Sequence, residues 1–123
     1  MNNNSIYTDS DVTELFKSDF QNKKVKNKIF KNKNGLITFY APWCSHCQDM
    51  KEMWENLAST FKNQFVISAV NVENVDKDNG KLLKTFNISK YPTIKYVTKT
   101  GTVKKYDGVR NYDDIVYFIW NKI

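Results

Sequence analysis

Two apolar runs and one hairpin pattern mark the main strands of the predicted fold. Residues 36–40 and 65–72 are apolar almost throughout, which is typical of strands buried on both faces of a sheet. Residues 94–97 are rich in β-branched and aromatic side chains, and a turn at Gly101 connects them to residues 103–106. This last pattern predicts an antiparallel hairpin.

Apolar residues at steps of three and four predict three amphipathic helices. The first begins at Cys44, the second ends near Asn87 and the third closes the chain. Their apolar stripes consist of Met50, Met53, Trp54, Leu57 and Phe61, of Leu82, Leu83 and Phe86, and of Tyr112, Ile115, Val116 and Ile119. Stripes of this kind face a protein core far more often than a cofactor.

The N-terminal third of the chain has a weaker pattern. Residues 12–16 predict a short first strand, and a further helix is expected from Ser18 to Ile29. Ser18 and Gln21 have the spacing of a capping box. The partly apolar face of this helix would consist of Phe20, Val25 and Ile29.

Strands and helices therefore alternate along the chain, and a hairpin and a helix end it. This order predicts an α/β fold with one central sheet flanked by helices. With 123 residues the chain is long enough for one domain with a core of its own. Residues 1–11 are polar and lack periodicity, so we expect a flexible tail before a single domain at residues 12–123.

Much of the positive charge is concentrated in one segment. The chain has 19 Lys and Arg against 13 Asp and Glu, a formal net charge of +6, and residues 23–33 carry six of the lysines. A solvated face is favoured over an anion site because no nucleic acid motif accompanies this segment. We therefore expect no nucleic acid partner, and any such binding would weaken steeply with added salt.

The sequence carries no recognisable targeting or membrane signal. No apolar run approaches the ~20 residues of a membrane span, and neither end matches a signal peptide or a retention signal. Taken as written, the sequence predicts an intracellular, cytoplasmic protein without a membrane span. The lumen of the endoplasmic reticulum or a virion is the alternative if a leader is missing or the source is viral.

Both cysteines of the chain lie in one short motif, where a predicted strand meets a predicted helix. The spacing of Cys44 and Cys47 places the first at the helix N-terminus and the second one turn in, with sulfurs close enough to bridge. Unpaired backbone N–H groups and the helix dipole favour the Cys44 thiolate, the species that attacks disulfides. A dithiol/disulfide redox pair is the leading interpretation. The aromatic Trp43 beside it is a candidate contact surface for a substrate.

Three other interpretations of the motif compete. A zinc site could use Cys44, Cys47 and His46, but structural zinc usually takes four protein ligands and the chain has no other Cys or His. We therefore expect neither a metal nor a cofactor. Two inert buried cysteines are the second alternative, since free cysteine packs as a small hydrophobe. The third is a binding module without redox activity.

The order of these motifs resembles that of the thioredoxin superfamily, and most closely a catalytic domain of protein disulfide isomerases. A strand leads into residues 39–44, Phe-Tyr-Ala-Pro-Trp-Cys, and a Tyr-Pro-Thr motif at residues 91–93 precedes a later strand. Ser45 departs from the motif, since the family usually has glycine there. The resemblance covers residues 12–123 and implies a thioredoxin fold, with the element order βαβαβαββα around a mixed sheet.

The resemblance also implies roles for single residues. Cys44 would be the attacking thiolate and Cys47 the resolving thiol that releases the substrate. His46 would stabilise the Cys44 thiolate, because a nearby imidazolium favours a thiolate. Pro92 matches the cis-proline of the family, and Tyr91 before it would pair with an extended substrate.

One further residue matches a family residue near the dithiol, and three positions differ from the family pattern. Arg110 matches an arginine that approaches the second cysteine in the isomerases, although an ordinary exposed arginine at a helix entry is an equal alternative. Thr38 stands where the family has a buried acid, Ala69 where it has the lysine partner of that acid, and Glu52 where a proline kinks the helix. The usual proton relay to the second cysteine is therefore missing, unless a water held by the Thr38 hydroxyl or another group replaces it.

The resemblance and the motif together predict a thiol–disulfide oxidoreductase. It would reduce, form or isomerise disulfides in protein substrates through a mixed disulfide, as a monomer, with glutathione or a dedicated reductase as redox partner. His46 would make it more oxidising than thioredoxin. The alternatives are a thioredoxin-like reductase and a redox-inactive module that binds peptides as a chaperone does.

Overall fold

The apolar residues before the cysteine motif form the central strand of a five-stranded mixed sheet in the computed structural model, which describes residues 4–123. This strand, β4 (Gly35–Tyr40), is buried at all six positions. It pairs in parallel with β5 (Val66–Asn71) and antiparallel with β6 (Thr93–Val97). β1 (Thr13–Glu14) extends the sheet beyond β5, and β7 (Val103–Lys105) extends it beyond β6. The predicted central strands and the hairpin are confirmed.

Within residues 4–123, three α-helices accompany the sheet. They are α1 (Ser45–Thr60), α2 (Leu82–Thr85) and α3 (Tyr112–Trp120). The predicted apolar stripe of α1 faces the core, where Cys47, Met50, Trp54, Leu57 and Ala58 are buried. The Asn111 side chain caps α3 by accepting the Asp114 N–H at 2.9 Å. Within residues 4–123, no helix combines the length and the apolar character that crossing a membrane requires.

The helix expected from Ser18 to Ile29 is wrong. Short 3-10 turns at Lys17–Asp19 and Lys28–Phe30 flank a small antiparallel hairpin of β2 (Phe20–Gln21) and β3 (Lys24–Val25). The predicted first strand is confirmed only at its centre, in β1. The element order therefore lacks the first helix of the predicted series.

Local polar side chains explain why this helix does not form. Asn22 has a left-handed backbone, with φ 57°, in the two-residue loop of the hairpin, and asparagine tolerates this conformation while a helix excludes it. The Asp19 carboxylate accepts the Asn27 side-chain amide at 3.0 Å, a local bond that competes with helix formation. Phe20 and Val25, expected on one helix face, are instead buried opposite each other in the hairpin.

Part of the expected flexible tail is packed against the sheet. Residues 1–3 lie outside the described residues, but Tyr7 is only 2% exposed and its ring meets that of Tyr40 edge-on at 5.3 Å between centroids. Glu14 accepts hydrogen bonds from the Tyr40 hydroxyl at 3.0 Å and from the Ser5 hydroxyl. The expectation of a flexible tail is therefore wrong for the residues around Tyr7.

Trp54 offers a test of the packing between α1 and the sheet. Its side chain is fully buried, and its Nε1 donates to the Ser68 carbonyl oxygen at 3.0 Å. Trp54→Ala leaves a cavity and an unpaired carbonyl, so it should lower the free energy of unfolding by about 3–5 kcal/mol. The matched control Trp43→Ala removes a side chain that is 61% exposed and should cost less than about 1 kcal/mol. Urea denaturation measures both, and equal losses would contradict this account of the packing.

Candidate active site

The two cysteines lie where β4 ends and α1 begins, as predicted. Cys44 is the N-cap residue of α1, and its sulfur accepts the Cys47 backbone N–H at 3.3 Å. Both cysteines are free thiols. Cys47 is fully buried, whereas Cys44 keeps 8% of its surface exposed. Of the two sulfur atoms, that of Cys44 is therefore the one a substrate can approach.

A tight turn before α1 fixes the orientation of Cys44. The Cys44 N–H donates to the Ala41 carbonyl oxygen at 3.0 Å, and the Gln48 N–H donates to the Cys44 carbonyl oxygen at 3.0 Å. The Gln48 side chain also reaches back and donates to the Pro42 carbonyl oxygen at 2.7 Å. These bonds connect the end of the strand to the first turn of the helix, so the first thiol is held on rigid elements.

Burial separates the second thiol from water. It raises the pKa of Cys47 to about 12, with desolvation as the largest cause and a hydrogen bond to the Cys44 sulfur as the second. A backbone hydrogen bond from Ala41 and the positive charge of Arg110 act in the opposite direction and lower this pKa. At neutral pH the Cys47 thiol therefore keeps its proton until something near it favours the thiolate.

Residues distant in sequence surround the Cys44 thiol. The Tyr91–Pro92 peptide bond is cis, and the Cys44 thiol donates to the Tyr91 carbonyl oxygen at 3.7 Å. The exposed Trp43 ring lies edge-on to the Tyr91 ring at 6.0 Å between centroids. The Arg110 Nη1 donates to the Pro92 carbonyl oxygen at 2.8 Å. The fold thus brings Tyr91, Pro92 and Arg110 to the cysteine motif, beside Trp43.

His46 is placed differently from these residues. It is exposed on the first turn of α1, and its side chain makes no hydrogen bond to either thiol. It lines a surface cavity together with Pro92 and Arg110. Across residues 4–123, no three His, Cys, Asp or Glu side chains are grouped as metal ligands would be.

Thr38 and Ala69 lie side by side beneath the motif. The register of β4 and β5 pairs them directly, so the two positions assigned to the acid and the lysine of the family are neighbours without charge. Thr38 is fully buried, and its hydroxyl has no hydrogen-bond partner among the described groups. The uncharged pair leaves no buried ion without a partner.

A half-buried carboxyl that the sequence did not single out lies in the same row of the sheet. Glu14 in β1 is also a register neighbour of Ala69. Burial raises its pKa above the usual range, while hydrogen bonds from Ser5 and Tyr40 lower it. Burial and the neighbouring Tyr40 and Cys47 groups likewise raise the pKa of Tyr7. The apolar character of Tyr7 in a polar segment was the available sequence signal for this cluster.

Comparison with known proteins identifies the family. The family model of thioredoxin matches residues 11–121, almost the whole chain. The chain belongs to the thioredoxin family. Its sheet order and the position of the cysteine motif before α1 agree with this assignment.

Individual relatives of this thioredoxin family member are protein disulfide isomerases. Protein disulfide isomerase-like 2-2 from Oryza sativa subsp. japonica is 41% identical over 93 residues, which are 74% of this chain and 24% of that protein. Protein disulfide-isomerase 1 from Dictyostelium discoideum is 38% identical over 93 residues, covering 73% of this chain and 25% of that protein. The chain therefore spans about a quarter of the length of these curated relatives.

A solved single domain shows the same fold. The solution structure of the first thioredoxin domain of mouse protein disulfide-isomerase A4 superimposes with a TM-score of 0.68 at 28% identity. The likeness covers 90% of this chain and 74% of that one. Nearly the whole of this chain is therefore similar to a single thioredoxin domain of that isomerase.

Arg110 provides a test of what sets the acidity of the second thiol. Because its positive charge lowers the pKa of Cys47, Arg110→Gln should leave less Cys47 thiolate at a fixed alkaline pH than the wild type has. Arg110→Lys keeps the charge and should stay close to the wild type. The NMR shift of the Cys47 Cβ in the reduced protein measures the thiolate fraction. Equal fractions in the wild type and Arg110→Gln would show that the charge does not act on Cys47.

Glu14 provides a pH test of the buried cluster. Burial raises the folded-state pKa of Glu14. The protonated carboxyl therefore contributes its full stability to the fold at low pH, and this contribution is lost as the pH rises through the raised pKa. Glu14→Gln cannot ionise, so its stability relative to the wild type should increase between pH about 4 and about 7. Urea denaturation at both pH values measures this difference. Glu52→Gln removes an exposed charge from α1 as the matched control, and an equal increase there would contradict the role of burial.

Proposed function

We propose that this chain is a thiol–disulfide oxidoreductase of the protein disulfide isomerase type, acting on disulfides in protein substrates. The observation that carries the proposal is the dithiol itself. Cys44 is held at a helix N-terminus and keeps 8% of its surface exposed, and Cys47 lies fully buried one turn behind it. The similarity to protein disulfide isomerases supports the same chemistry.

The reaction proceeds in two exchange steps. The Cys44 thiolate attacks one sulfur of a substrate disulfide, which forms a mixed disulfide and releases the other substrate sulfur as a thiolate. Cys47 then loses its proton and attacks the Cys44 sulfur, which closes the Cys44–Cys47 disulfide and frees the second substrate thiolate. Two electrons pass from the dithiol to the substrate. In reverse, the oxidised pair gives its disulfide to a substrate dithiol.

The surrounding residues assist these steps. The exposed Trp43 ring and the half-buried Tyr91 ring meet beside Cys44, which suits contact with an extended polypeptide, and the buried Pro92 positions the Tyr91 backbone for this contact. Arg110 favours the Cys47 thiolate by its charge, and so promotes the second step. His46, exposed between the two cysteines of the motif, stabilises the Cys44 thiolate when it is protonated.

The direction of electron transfer follows the redox partner. After a reductive cycle, reduced glutathione or a dedicated reductase restores the dithiol, and after an oxidative cycle, oxidised glutathione restores the disulfide; the reduction potential of the compartment decides which cycle runs. An oxidising compartment favours donation of disulfides to substrates, and a reducing one favours their reduction.

Serine substitutions test the order of the two steps. Cys47→Ser should accumulate mixed disulfides between Cys44 and substrate, because the resolving thiol is absent, while Cys44→Ser should lose all turnover. Refolding of a protein with scrambled disulfides and reduction of insulin measure turnover, and non-reducing electrophoresis detects the trapped complexes. Ser45→Ala is the matched control, since it changes the motif and keeps both thiols. Full activity in Cys44→Ser would rule out this mechanism.

A further inference from the structure

A groove beside the dithiol is lined by cations from several parts of the chain. It has a volume of about 570 Å³ and begins at His46, Tyr91 and Pro92, next to the Cys44 thiol. From there it follows the hairpin of β6 and β7, with the buried Ile94 and Tyr106 among its lining residues. Its permanently charged residues are Lys90, Lys95, Lys105 and Arg110, and we call it the cationic groove.

The cations of this groove are not compensated by acidic residues. No Asp or Glu is among the residues that line it. Lys105 has one ion pair, with Asp107 at 3.4 Å, but both side chains are more than three-quarters exposed, so the pair contributes little. Within residues 4–123, Lys90, Lys95 and Arg110 form no ion pair with a carboxylate. The groove therefore presents an uncompensated positive charge.

The register of the hairpin shows that two of these cations lower the stability of the folded protein. Lys95 in β6 lies directly opposite Lys105 in β7. Like charges at directly opposed positions destabilise an antiparallel pair. A neutral or acidic residue at either position would remove the repulsion, so this arrangement is better explained by binding than by stability.

The other flanks of the dithiol have a different character. Trp43 and Tyr91 form its aromatic edge, and the charge of Glu73 acts on the Tyr91 side. A second cavity shares His46, Pro92 and Arg110 with the groove, but its other lining residues are Asp49, Met50 and Met53. The groove thus places four permanent cations beside Cys44, and within residues 4–123 Lys105 is the one among them that has an ion pair with a carboxylate.

We propose that the cationic groove binds acidic segments of polypeptide substrates, and so selects disulfides that have Asp or Glu residues close to the attacked cysteine. This inference rests on the proposed function and adds the substrate class. Carboxylates are the complementary charge, and a groove of this volume falls within the range of about 300–1,000 Å³ of ligand sites. A charged cleft raises the rate at which oppositely charged ligands arrive, by about 10-fold or more at low salt.

The test compares three disulfide peptides with the same length and cysteine spacing, whose flanking residues are acidic, neutral or basic. Stopped-flow kinetics with the reduced chain give the second-order rate constant for each peptide. We expect the acidic peptide to react about tenfold faster than the basic one in about 20 mM salt, and the difference to collapse in about 500 mM salt.

Charge variants locate the effect. The double variant Lys95→Gln, Lys105→Gln should lose most of the preference for the acidic peptide and leave the rate with the neutral peptide close to that of the wild type. The matched control is Lys31→Gln, Lys84→Gln, which removes two exposed lysines outside the groove. This control has the same net charge and should keep the preference. A preference lost equally in both double variants would attribute it to net charge and overturn the proposal.

The remaining outcomes separate this proposal from the function on which it rests. Equal rates for all three peptides would overturn the groove proposal and leave the thiol–disulfide reaction supported. No reaction with any peptide would contradict the reaction itself. If the reaction rate of oxidised glutathione fell in the Lys95→Gln, Lys105→Gln variant and that of the acidic peptide did not, the groove would be a site for a small carboxylate ligand. If the binding affinity for a single-stranded oligonucleotide fell instead, the groove would be a nucleic acid site. Either result overturns the assignment to polypeptides.

Discussion

Packing α1 against the buried strands β4 and β5 removes one cysteine of the motif completely from solvent and leaves the other slightly exposed. Cys47 belongs to the same helix stripe as Met50 and Trp54, so the periodicity that buries the tryptophan also removes the second thiol from water. Cys44 precedes the first helical turn and is not carried inward with that stripe. The unequal environments of the two thiols therefore follow from helix geometry, and the desolvation of Cys47 is its chemical consequence.

Much of this arrangement was predictable because it depends on local patterns. The central strands, α1 and the closing helix follow from apolar runs and helical periodicity, and the cysteine spacing fixed the position of the motif on α1. The segment around Asn22 was not predictable in this way, because short-range hydrogen bonds of Asp19 and Asn27 override a weak apolar period. The approach of Tyr91 and Arg110 to the thiols is a tertiary contact, and only the family resemblance indicated it.

The charge of the protein illustrates the same difference between local and tertiary information. Counting along the sequence draws attention to residues 23–33, where six lysines are consecutive or nearly so. The groove beside the dithiol instead collects Lys90, Lys95, Lys105 and Arg110 from a loop, two strands and the entrance of a helix. A cluster of this kind leaves no run in the sequence, and only strand register makes Lys95 and Lys105 neighbours.

The packing of the Tyr7 ring limits how far the N-terminus can be shortened without loss of contacts in the core. The match to the thioredoxin family begins at residue 11, after this tyrosine. Yet Tyr7 packs on Tyr40, whose hydroxyl donates to Glu14, and the nearby Cys47 raises the pKa of the Tyr7 hydroxyl. A shorter protein that started at residue 11 would keep every residue of the cysteine motif and lose the packing of Tyr7 on Tyr40. In this chain, the residues that pack on the sheet begin before the segment that the family model matches.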